Sequence, residues 1–334
     1  MLKRPIRLNM NEVPYPPSKE IIEAARKSLL KLNRYSDPED MERLLGLLAD
    51  YAGVSAKHIF VSPGSDLLIR EIILTHSKGR KIVIVSPSFF PTVQAAKQFA
   101  TKLISIRLSP PDFDLNPDLL LDQLNEPCLV ILDNPNNPTG QFLLDHRMVE
   151  SVVAHTDTLL VVDEAYYEFS GVTFANMVQG HPNLALTRTM DKAFSLAGAR
   201  IGYMIAGEGF FDAFSSRYVI LPRPGLHASI QALKNVDYME KNVCQLIAER
   251  KRVWNALNGT LAVQAYKSMT NFFLLKTDIP DIADKLADMD ILISDLSHQL
   301  SSGFIRVSIG NREENDAFIT GLMKIHETYR QEKF

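Results

Sequence analysis

Short apolar runs alternate with helical stretches between Lys57 and Gly207, and this alternation is the feature that most constrains the fold. The apolar runs predict strands over 58–61, 81–86, 102–107, 128–133, 158–163, 184–188 and 201–206. The stretches between them predict helices that include 66–77, 92–100, 116–125 and 145–155. This order is typical of an α/β fold in which helices sandwich a mostly parallel sheet. Such a sheet binds ligands beyond the carboxyl ends of its strands.

The C-terminal part of the chain predicts a smaller α+β unit. One long helix is expected over 229–257, because its apolar residues repeat at the spacing of a single helix face. After it, the sequence predicts a strand over 271–276, a helix over 280–289, strands near 291–293 and 304–309, and a last helix from 312.

Polar side chains follow several of the predicted strands in the first unit. Asp163 and Tyr166 come at the end of one strand, and Lys192 follows the next strand 29 residues after Asp163. Asn137 lies in an Asn-Pro-Asn-Asn-Pro-Thr-Gly run that follows a third strand, although such a run is also an ordinary turn sequence. A lysine that can form a Schiff base and a carboxylate that can pair with a pyridinium nitrogen suit pyridoxal phosphate. A dinucleotide site is not favoured, because no G-x-G-x-x-G follows the first strand.

The bulk properties narrow the class of protein further. The chain has 334 residues and a net charge of −3, so it lacks the basic field that nucleic acid or an anionic membrane would require. Cys128 and Cys244 have no C-x-x-C neighbour, which argues against a disulfide or a metal site. Because there is no signal sequence and no long apolar stretch, we expect a cytoplasmic protein.

The order and spacing of these segments resemble the fold type I pyridoxal-phosphate aminotransferases of class I/II. The likeness runs from Leu8-Asn9-Met10-Asn11-Glu12 to Ile305-Arg306-Val307-Ser308-Ile309-Gly310 and is greatest to the histidinol-phosphate aminotransferase branch. The resemblance implies pyridoxal 5′-phosphate as cofactor and a homodimer with shared active sites. It also implies a large cofactor-binding domain over 33–235, with 1–32 and 236–334 forming the small domain. Within that small domain, the helix over 18–32 is expected to pack with the C-terminal part.

The resemblance assigns a role to each residue of the catalytic centre. Lys192 is implied to carry the cofactor and then to act as the base that moves a proton. Asp163 is implied to keep the ring nitrogen protonated. Tyr166 and Asn137 are implied to hydrogen-bond the 3′ oxygen of the ring.

The cofactor phosphate is expected to lie at the start of the helix near residue 66. Gly64, Ser65 and Asp66 would offer amides and a hydroxyl there, although this run is also an ordinary helix N-cap. By resemblance, Arg200, Thr189 and Tyr35 of the neighbouring subunit also bind the phosphate. Phe89 is the expected stacking ring, with Phe90 as the alternative. The resemblance places Arg306 against the acidic group of the substrate and Asn11 at the substrate entrance.

Two positions depart from the pattern of the family. Asp191 stands where serine usually precedes the lysine, so it adds a negative charge near the expected phosphate. The repulsion between the two is unfavourable unless a cation such as Arg200 screens it. Ser294 stands where histidinol-phosphate enzymes commonly carry an arginine, which weakens the case for a phosphorylated substrate. Arg223 is a possible replacement for that cation.

These observations predict an aminotransferase that acts on an amino acid or a phosphorylated amino alcohol. Histidinol phosphate, with 2-oxoglutarate as acceptor, is the favoured pair. The alternatives are an aromatic amino acid aminotransferase, a decarboxylase resembling threonine-phosphate decarboxylase, and a protein that uses the fold without catalysis.

Overall fold

The computed structural model describes residues 5–211, 214 and 219–333. Its strands are β1 Ile6–Arg7, β2 Ile59–Ser62, β3 Lys81–Ser86, β4 Leu103–Arg107, β5 Cys128–Asp133, β6 Thr158–Asp163, β7 Leu184–Thr189, β8 Gly202–Ala206, β9 Gln264–Ala265, β10 Phe272–Lys276, β11 Ile291–Leu292, β12 Ser294–Asp295 and β13 Phe304–Ser308. Its α-helices are α1 Lys19–Ser28, α2 Pro38–Ala52, α3 Ser65–His76, α4 Phe90–Phe99, α5 Pro117–Leu121, α6 His146–Val153, α7 Tyr167–Ser170, α8 Glu208–Phe211, α9 Arg223–Leu233, α10 Val236–Asn258, α11 Ile282–Ala287 and α12 Arg312–Lys333.

Among the described residues, seven strands form the larger sheet in the order β2-β8-β7-β6-β5-β3-β4. Five neighbouring strands pair in parallel, in the order β4, β3, β5, β6 and β7. Strand β8 is antiparallel to both of its neighbours, β7 and β2. The central strands β5 and β6 are buried along their whole length, as expected for parallel strands covered on both faces. Their side chains alternate between two apolar cores: Leu129 and Val161 lie in one, and Val130 and Leu160 in the other. This is the predicted α/β sandwich.

A smaller antiparallel sheet has the order β12-β13-β10-β9, and β1 pairs separately with β11. The chain after β1 stays close to this unit, because Ser308 N donates to Leu8 O and Asn271 Nδ2 donates to Asn11 O. The N-terminal segment therefore lies against the small sheet. Within the described ranges, no helix is long and apolar enough to cross a membrane.

The predicted helix over 229–257 is wrong as a single element. The structure has two helices, α9 and α10, separated at Lys234 and Asn235, where the Asn235 backbone is not helical (φ −133°, ψ 59°). Helix α1 packs against α9, which the predicted boundary places in the large domain, rather than chiefly against the C-terminal elements. The domain boundaries themselves stay a prediction.

Candidate active site

A cavity of about 650 Å³ opens at the carboxyl ends of β5, β6 and β7 and is covered from the other side by the small sheet. Most of the predicted site residues line it together: Asn11, Ser65, Asp66, Phe89, Asn137, Asp163, Tyr166, Thr189, Lys192, Arg200 and Arg306. They come from segments that are far apart in sequence. The sheet therefore brings the dispersed motifs to one place.

Asp163 ends β6 and is buried at the base of the cavity. Thr187 Oγ1 on the neighbouring strand donates a hydrogen bond of 2.9 Å to its carboxylate. Burial, followed by the charge of nearby Asp133, raises the pKa of Asp163 to about 7. A cationic partner would favour the ionised form of this carboxylate, which is the property expected of a group that pairs with a pyridinium nitrogen.

The Tyr166 hydroxyl accepts hydrogen bonds from two amides, Asn11 Nδ2 at 2.9 Å and Asn137 Nδ2 at 3.3 Å. Phe272 packs edge-on against the Tyr166 ring, with 5.2 Å between the centroids. Burial raises the pKa of Tyr166 to about 12, so the phenol keeps its proton at neutral pH. Because both amides donate to the oxygen, the hydroxyl hydrogen remains able to bond an acceptor in the cavity.

Asp133, which was not among the predicted site residues, anchors the loop that carries Asn137. Asn137 N donates to Asp133 Oδ2 at 2.7 Å, and Asn136 Nδ2 and Ser88 Oγ both donate to Oδ1 at 2.9 Å. The run from 134 to 140 is therefore a tightly bonded turn as well as the support of a cavity residue. The available signal was that Asp133 ends its strand in register with Asp163.

Lys192 lies half-buried on the wall of the cavity. Its Nζ donates to the Met10 carbonyl oxygen at 3.1 Å. Burial lowers the pKa of Lys192 to about 8; the positive charge of Arg306 acts in the same direction, while Asp191 opposes it. An amine with a lowered pKa is a better nucleophile at neutral pH, because more of it is unprotonated.

The expected phosphate end of the cavity is the start of α3. Its N-cap is Gly64, which has a φ of +106° and no side chain that could bond the first amides of the helix. The run is therefore a helix N-cap, and this is compatible with a phosphate at the same amides. The Arg200 guanidinium contacts the carboxylates of both Asp66 and Asp191. A Cβ added to Gly64 would lie 2.2 Å from Arg200 Nη2, so this glycine makes room for the guanidinium. Thr189 Oγ1 accepts a hydrogen bond of 3.0 Å from Asp191 N.

Arg306 on β13 lies on the small-sheet side of the cavity. Its Nη1 donates to Asn137 Oδ1 at 2.7 Å, and its Nη2 donates to Asn9 O at 2.9 Å and to Ser294 Oγ at 3.2 Å. Its Nε is buried and has no hydrogen-bond partner among the described residues. Burial lowers the pKa of Arg306, so an anion bound beside it would stabilise its charged form.

Two aromatic predictions differ in outcome. Phe89 and its neighbour Phe90 both line the cavity, so the geometry does not separate them, although the Phe90 ring also contacts His298 edge-on at 5.9 Å. Tyr35 is 74% exposed and is not part of the cavity wall of its own subunit. Its role at the neighbouring subunit's site stays a prediction.

Arg223 does not replace the cation that is missing at Ser294. It begins α9, is buried, and its Nη2 donates to the Tyr35 carbonyl oxygen and to Asp37 Oδ2 at 3.2 Å. It is not among the residues that line the cavity.

The residues present fit pyridoxal phosphate. One end of the cavity offers uncapped helix amides and Arg200 for a phosphate, and the base offers the buried carboxylate of Asp163 for a ring nitrogen. Between them lie the Tyr166 hydroxyl and the Lys192 amine. On the small-sheet side, the guanidinium of Arg306 supplies a positive charge for an anionic substrate group.

Comparison with known proteins agrees with this geometry. The model of the aminotransferase class I and II family matches residues 3–322. Histidinol-phosphate aminotransferase of Sulfurisphaera tokodaii is 35% identical, over 96% of this chain and 90% of the relative. The same enzyme of Sinorhizobium meliloti, solved with pyridoxal-5′-phosphate, superposes with a TM-score of 0.85 at 26% identity, covering 98% of this chain and 92% of that one. L-threonine-O-3-phosphate decarboxylase of Porphyromonas gingivalis shares the fold, with a TM-score of 0.82 at 21% identity over 96% and 99% of the two chains. The chain therefore belongs to the class I and II aminotransferases, and its cofactor is pyridoxal 5′-phosphate.

Proposed function

We propose that this aminotransferase takes the amino group from an amino acid or a phosphorylated amino alcohol and passes it to a 2-oxo acid. The pair that we propose is histidinol phosphate as donor and 2-oxoglutarate as acceptor. The observation that carries the proposal is that Arg306, a cation, lines the same cavity as Lys192, Asp163 and Tyr166. The name shared by the relatives supports histidinol phosphate as donor.

The roles that we propose for the side chains follow from their surroundings. When bound, pyridoxal phosphate supplies an aldehyde that holds the amino donor and a ring that accepts the electron pair from its Cα. Lys192, whose pKa is lowered to about 8, would remove the proton from the donor Cα and deliver it to C4′, the cofactor carbon that carries the aldehyde. Asp163 would stabilise the positive charge at the ring nitrogen, and the Tyr166 hydroxyl would donate to the ring oxygen. Arg306 orients the donor by its acidic group.

The donor is identified by single-turnover reaction of the loaded enzyme with a panel of amines. Histidinol phosphate, L-threonine-O-3-phosphate, histidine, and aromatic and aliphatic amino acids are tested, and loss of the absorbance of the Lys192-bound cofactor is read for each. We expect one 2-oxo or keto product per site and a pyridoxamine-type spectrum. Release of carbon dioxide from a phosphorylated amino acid, without that spectrum, would instead indicate a decarboxylase.

The same proposal assigns the cofactor to Lys192. We expect borohydride reduction to attach the cofactor to the peptide that contains Lys192, and Lys192→Ala to abolish both this adduct and turnover. Lys234→Ala, on an exposed position between α9 and α10, is the control and should keep both. A reduced cofactor on any other lysine peptide would show that the assignment is wrong.

We also propose a homodimer in which Tyr35 reaches the phosphate of the neighbouring subunit. The segment that contains it exposes several large apolar side chains: Ile22, Leu29, Leu30, Leu32 and Tyr35. Apolar side chains gathered in one exposed segment are typical of a protein interface. A cytoplasmic location stays a prediction from the composition.

A further inference from the structure

Arg200 is shared by two carboxylates from different parts of the chain. Asp66 belongs to the first turn of α3, and Asp191 to the loop that follows β7. Each contacts one terminal nitrogen of the guanidinium, Asp191 at Nη1 and Asp66 at Nη2. The other oxygen of Asp191, Oδ1, is buried and has no hydrogen-bond partner in the described part of the chain.

The two carboxylates differ in what else stabilises them. Asp66 lies at the N-terminus of a helix of 12 residues, where the helix dipole favours a negative charge. Asp191 lies in a loop and not at a helix N-terminus, so its negative charge is stabilised by the cations Arg200 and Lys192. A phosphate carries nearly two negative charges and uses the same guanidinium N–H groups as a carboxylate. A phosphate that binds Arg200 therefore displaces the Asp191 carboxylate in preference to that of Asp66.

The Asp191 side chain also borders a second cavity, into which its carboxylate can turn. With Ala197 and Gly198 it lines both the active-site cavity and a neighbouring cavity of about 340 Å³. Ser195 lines this second cavity, and its hydroxyl is buried without a hydrogen-bond partner among the described residues. A hydroxyl in this position can donate to a carboxylate that turns away from Arg200.

We propose that Asp191 competes with the cofactor phosphate for Arg200, and that Ser195 is the alternative partner of the Asp191 carboxylate. Asp191 is then a positioning residue that limits the affinity of the enzyme for its cofactor. The inference rests on Arg200 binding the phosphate, as proposed above.

The test measures the dissociation constants of pyridoxal phosphate and of pyridoxal, which lacks the phosphate, for the apoprotein. Asp191→Asn keeps the shape of the side chain and removes its charge. We expect it to bind pyridoxal phosphate about tenfold more tightly, about 1.4 kcal/mol, and pyridoxal within twofold of the wild type. Asp191→Ser should behave in the same way. The matched control is Asp295→Asn: its carboxylate lines the same cavity but bonds Ser297 N and Oγ instead of Arg200.

Ser195→Ala tests the second half of the proposal. It should weaken pyridoxal phosphate binding about threefold in the wild type and have no effect in the Asp191→Asn background, because the carboxylate that needs the hydroxyl is gone. Equal effects in both backgrounds would remove Ser195 from the proposal.

Two results would overturn the role of Asp191. One is an unchanged or weaker affinity of Asp191→Asn for pyridoxal phosphate. The other is an equal gain for pyridoxal, which would place the effect at Lys192 instead of the phosphate. Arg200→Ala separates this from a wrong phosphate assignment: if Arg200 binds the phosphate, the variant loses most of its preference for pyridoxal phosphate over pyridoxal. An unchanged preference would refute the assignment of Arg200, and the competition with it.

Discussion

At the scale of single residues, Asp163 carries the clearest pH dependence. Burial raises its pKa to about 7, far above the value of about 3.9 in an unfolded chain. The folded protein therefore holds this proton more tightly than the unfolded chain does. The contribution of this proton to the free energy of unfolding is therefore complete below about pH 4 and is lost as the pH rises to about 7.

The amide of Asp163→Asn has no titrating proton, so the stability of this variant should depend on pH differently from that of the wild type. We expect the free energy of unfolding of the variant apoprotein, relative to the wild type, to increase between about pH 4 and pH 7 and then to stay constant. Urea unfolding at a series of pH values measures it. Asp157→Asn, on an exposed turn, is the control and should show no such trend. A flat difference for Asp163→Asn would contradict the raised pKa.

The same variant tests the role of Asp163 in the reaction. An amide cannot hold the pyridinium proton, so Asp163→Asn should bind cofactor and still lose activity by about 10²–10³-fold or more. Steady-state kinetics at saturating cofactor measure the loss. Activity within a few-fold of the wild type would be incompatible with the proposed role.

Ser294 governs a prediction about the substrate. It lies directly opposite Arg306 on the neighbouring strand, and its Oγ accepts a hydrogen bond from Arg306. A phosphate monoester carries close to two charges and is usually held by paired cations, whereas here Arg223 points elsewhere. We therefore expect weaker selectivity for phosphate than in a typical histidinol-phosphate enzyme, with useful activity on an unphosphorylated amino acid.

Relative kcat/KM values for histidinol phosphate, histidine and aromatic amino acids measure this selectivity. Ser294→Arg would place a second cation directly across from Arg306 and should raise the preference for histidinol phosphate. Ser301→Arg, in an exposed loop, adds the same charge as a control. A wild-type preference for histidinol phosphate of about 10³-fold, worth about 4 kcal/mol, would defeat the prediction.

At the scale of the elements, the start of α3 depends on a glycine. At Gly64 both the φ of +106° and the lack of space beside Arg200 exclude a side chain. Gly64→Ala should therefore lower the affinity for pyridoxal phosphate by at least about tenfold as well as destabilise the fold. Gly53→Ala, with a φ of +68° and no atom within 4 Å of an added Cβ, is the control for backbone strain alone. It should lower the melting temperature and leave the affinity unchanged.

The elements also show how far sequence reasoning reaches. The strands of the large sheet follow from continuous apolar runs, and the ends of two of those strands bring Asp163 and Lys192 to one cavity. The break at Asn235 was missed because 229–257 contains no proline or glycine, and the packing of α9 against α1 is a tertiary contact with no local signal. The sequence suggested Arg200 as a cation beside Asp191, but the contact of the same guanidinium with Asp66 depends on side-chain positions that spacing does not give.

At the scale of the whole molecule, the site is assembled from both sheets and the N-terminal segment. Asn11 donates to Tyr166 on the large-sheet side, and its backbone N donates to Ser308 Oγ in the small sheet. Arg306 likewise reaches from the small sheet to Asn137. A change in the relative position of the two sheets would therefore alter both the hydrogen bonds of Tyr166 and the proposed contact of Arg306 with the substrate.

The proposed dimer extends this assembly across two chains. If Tyr35 serves the partner's phosphate, Tyr35→Ala and Lys192→Ala subunits should complement each other, because a heterodimer has one site with both native residues. Random exchange makes half of the dimers mixed, each with one complete site, so we expect about one quarter of wild-type activity at limiting cofactor.

Mixing Lys192→Ala with Asp163→Asn is the matched control. Both residues line the same cavity of one chain, so every site in that mixture keeps one defect and no activity should return. Subunit exchange is verified by mass spectrometry of differently tagged chains. If verified heterodimers of Tyr35→Ala and Lys192→Ala are no more active than the control mixture, or if the protein is a monomer in solution, the shared site is refuted, and the exposure of Tyr35 needs another explanation.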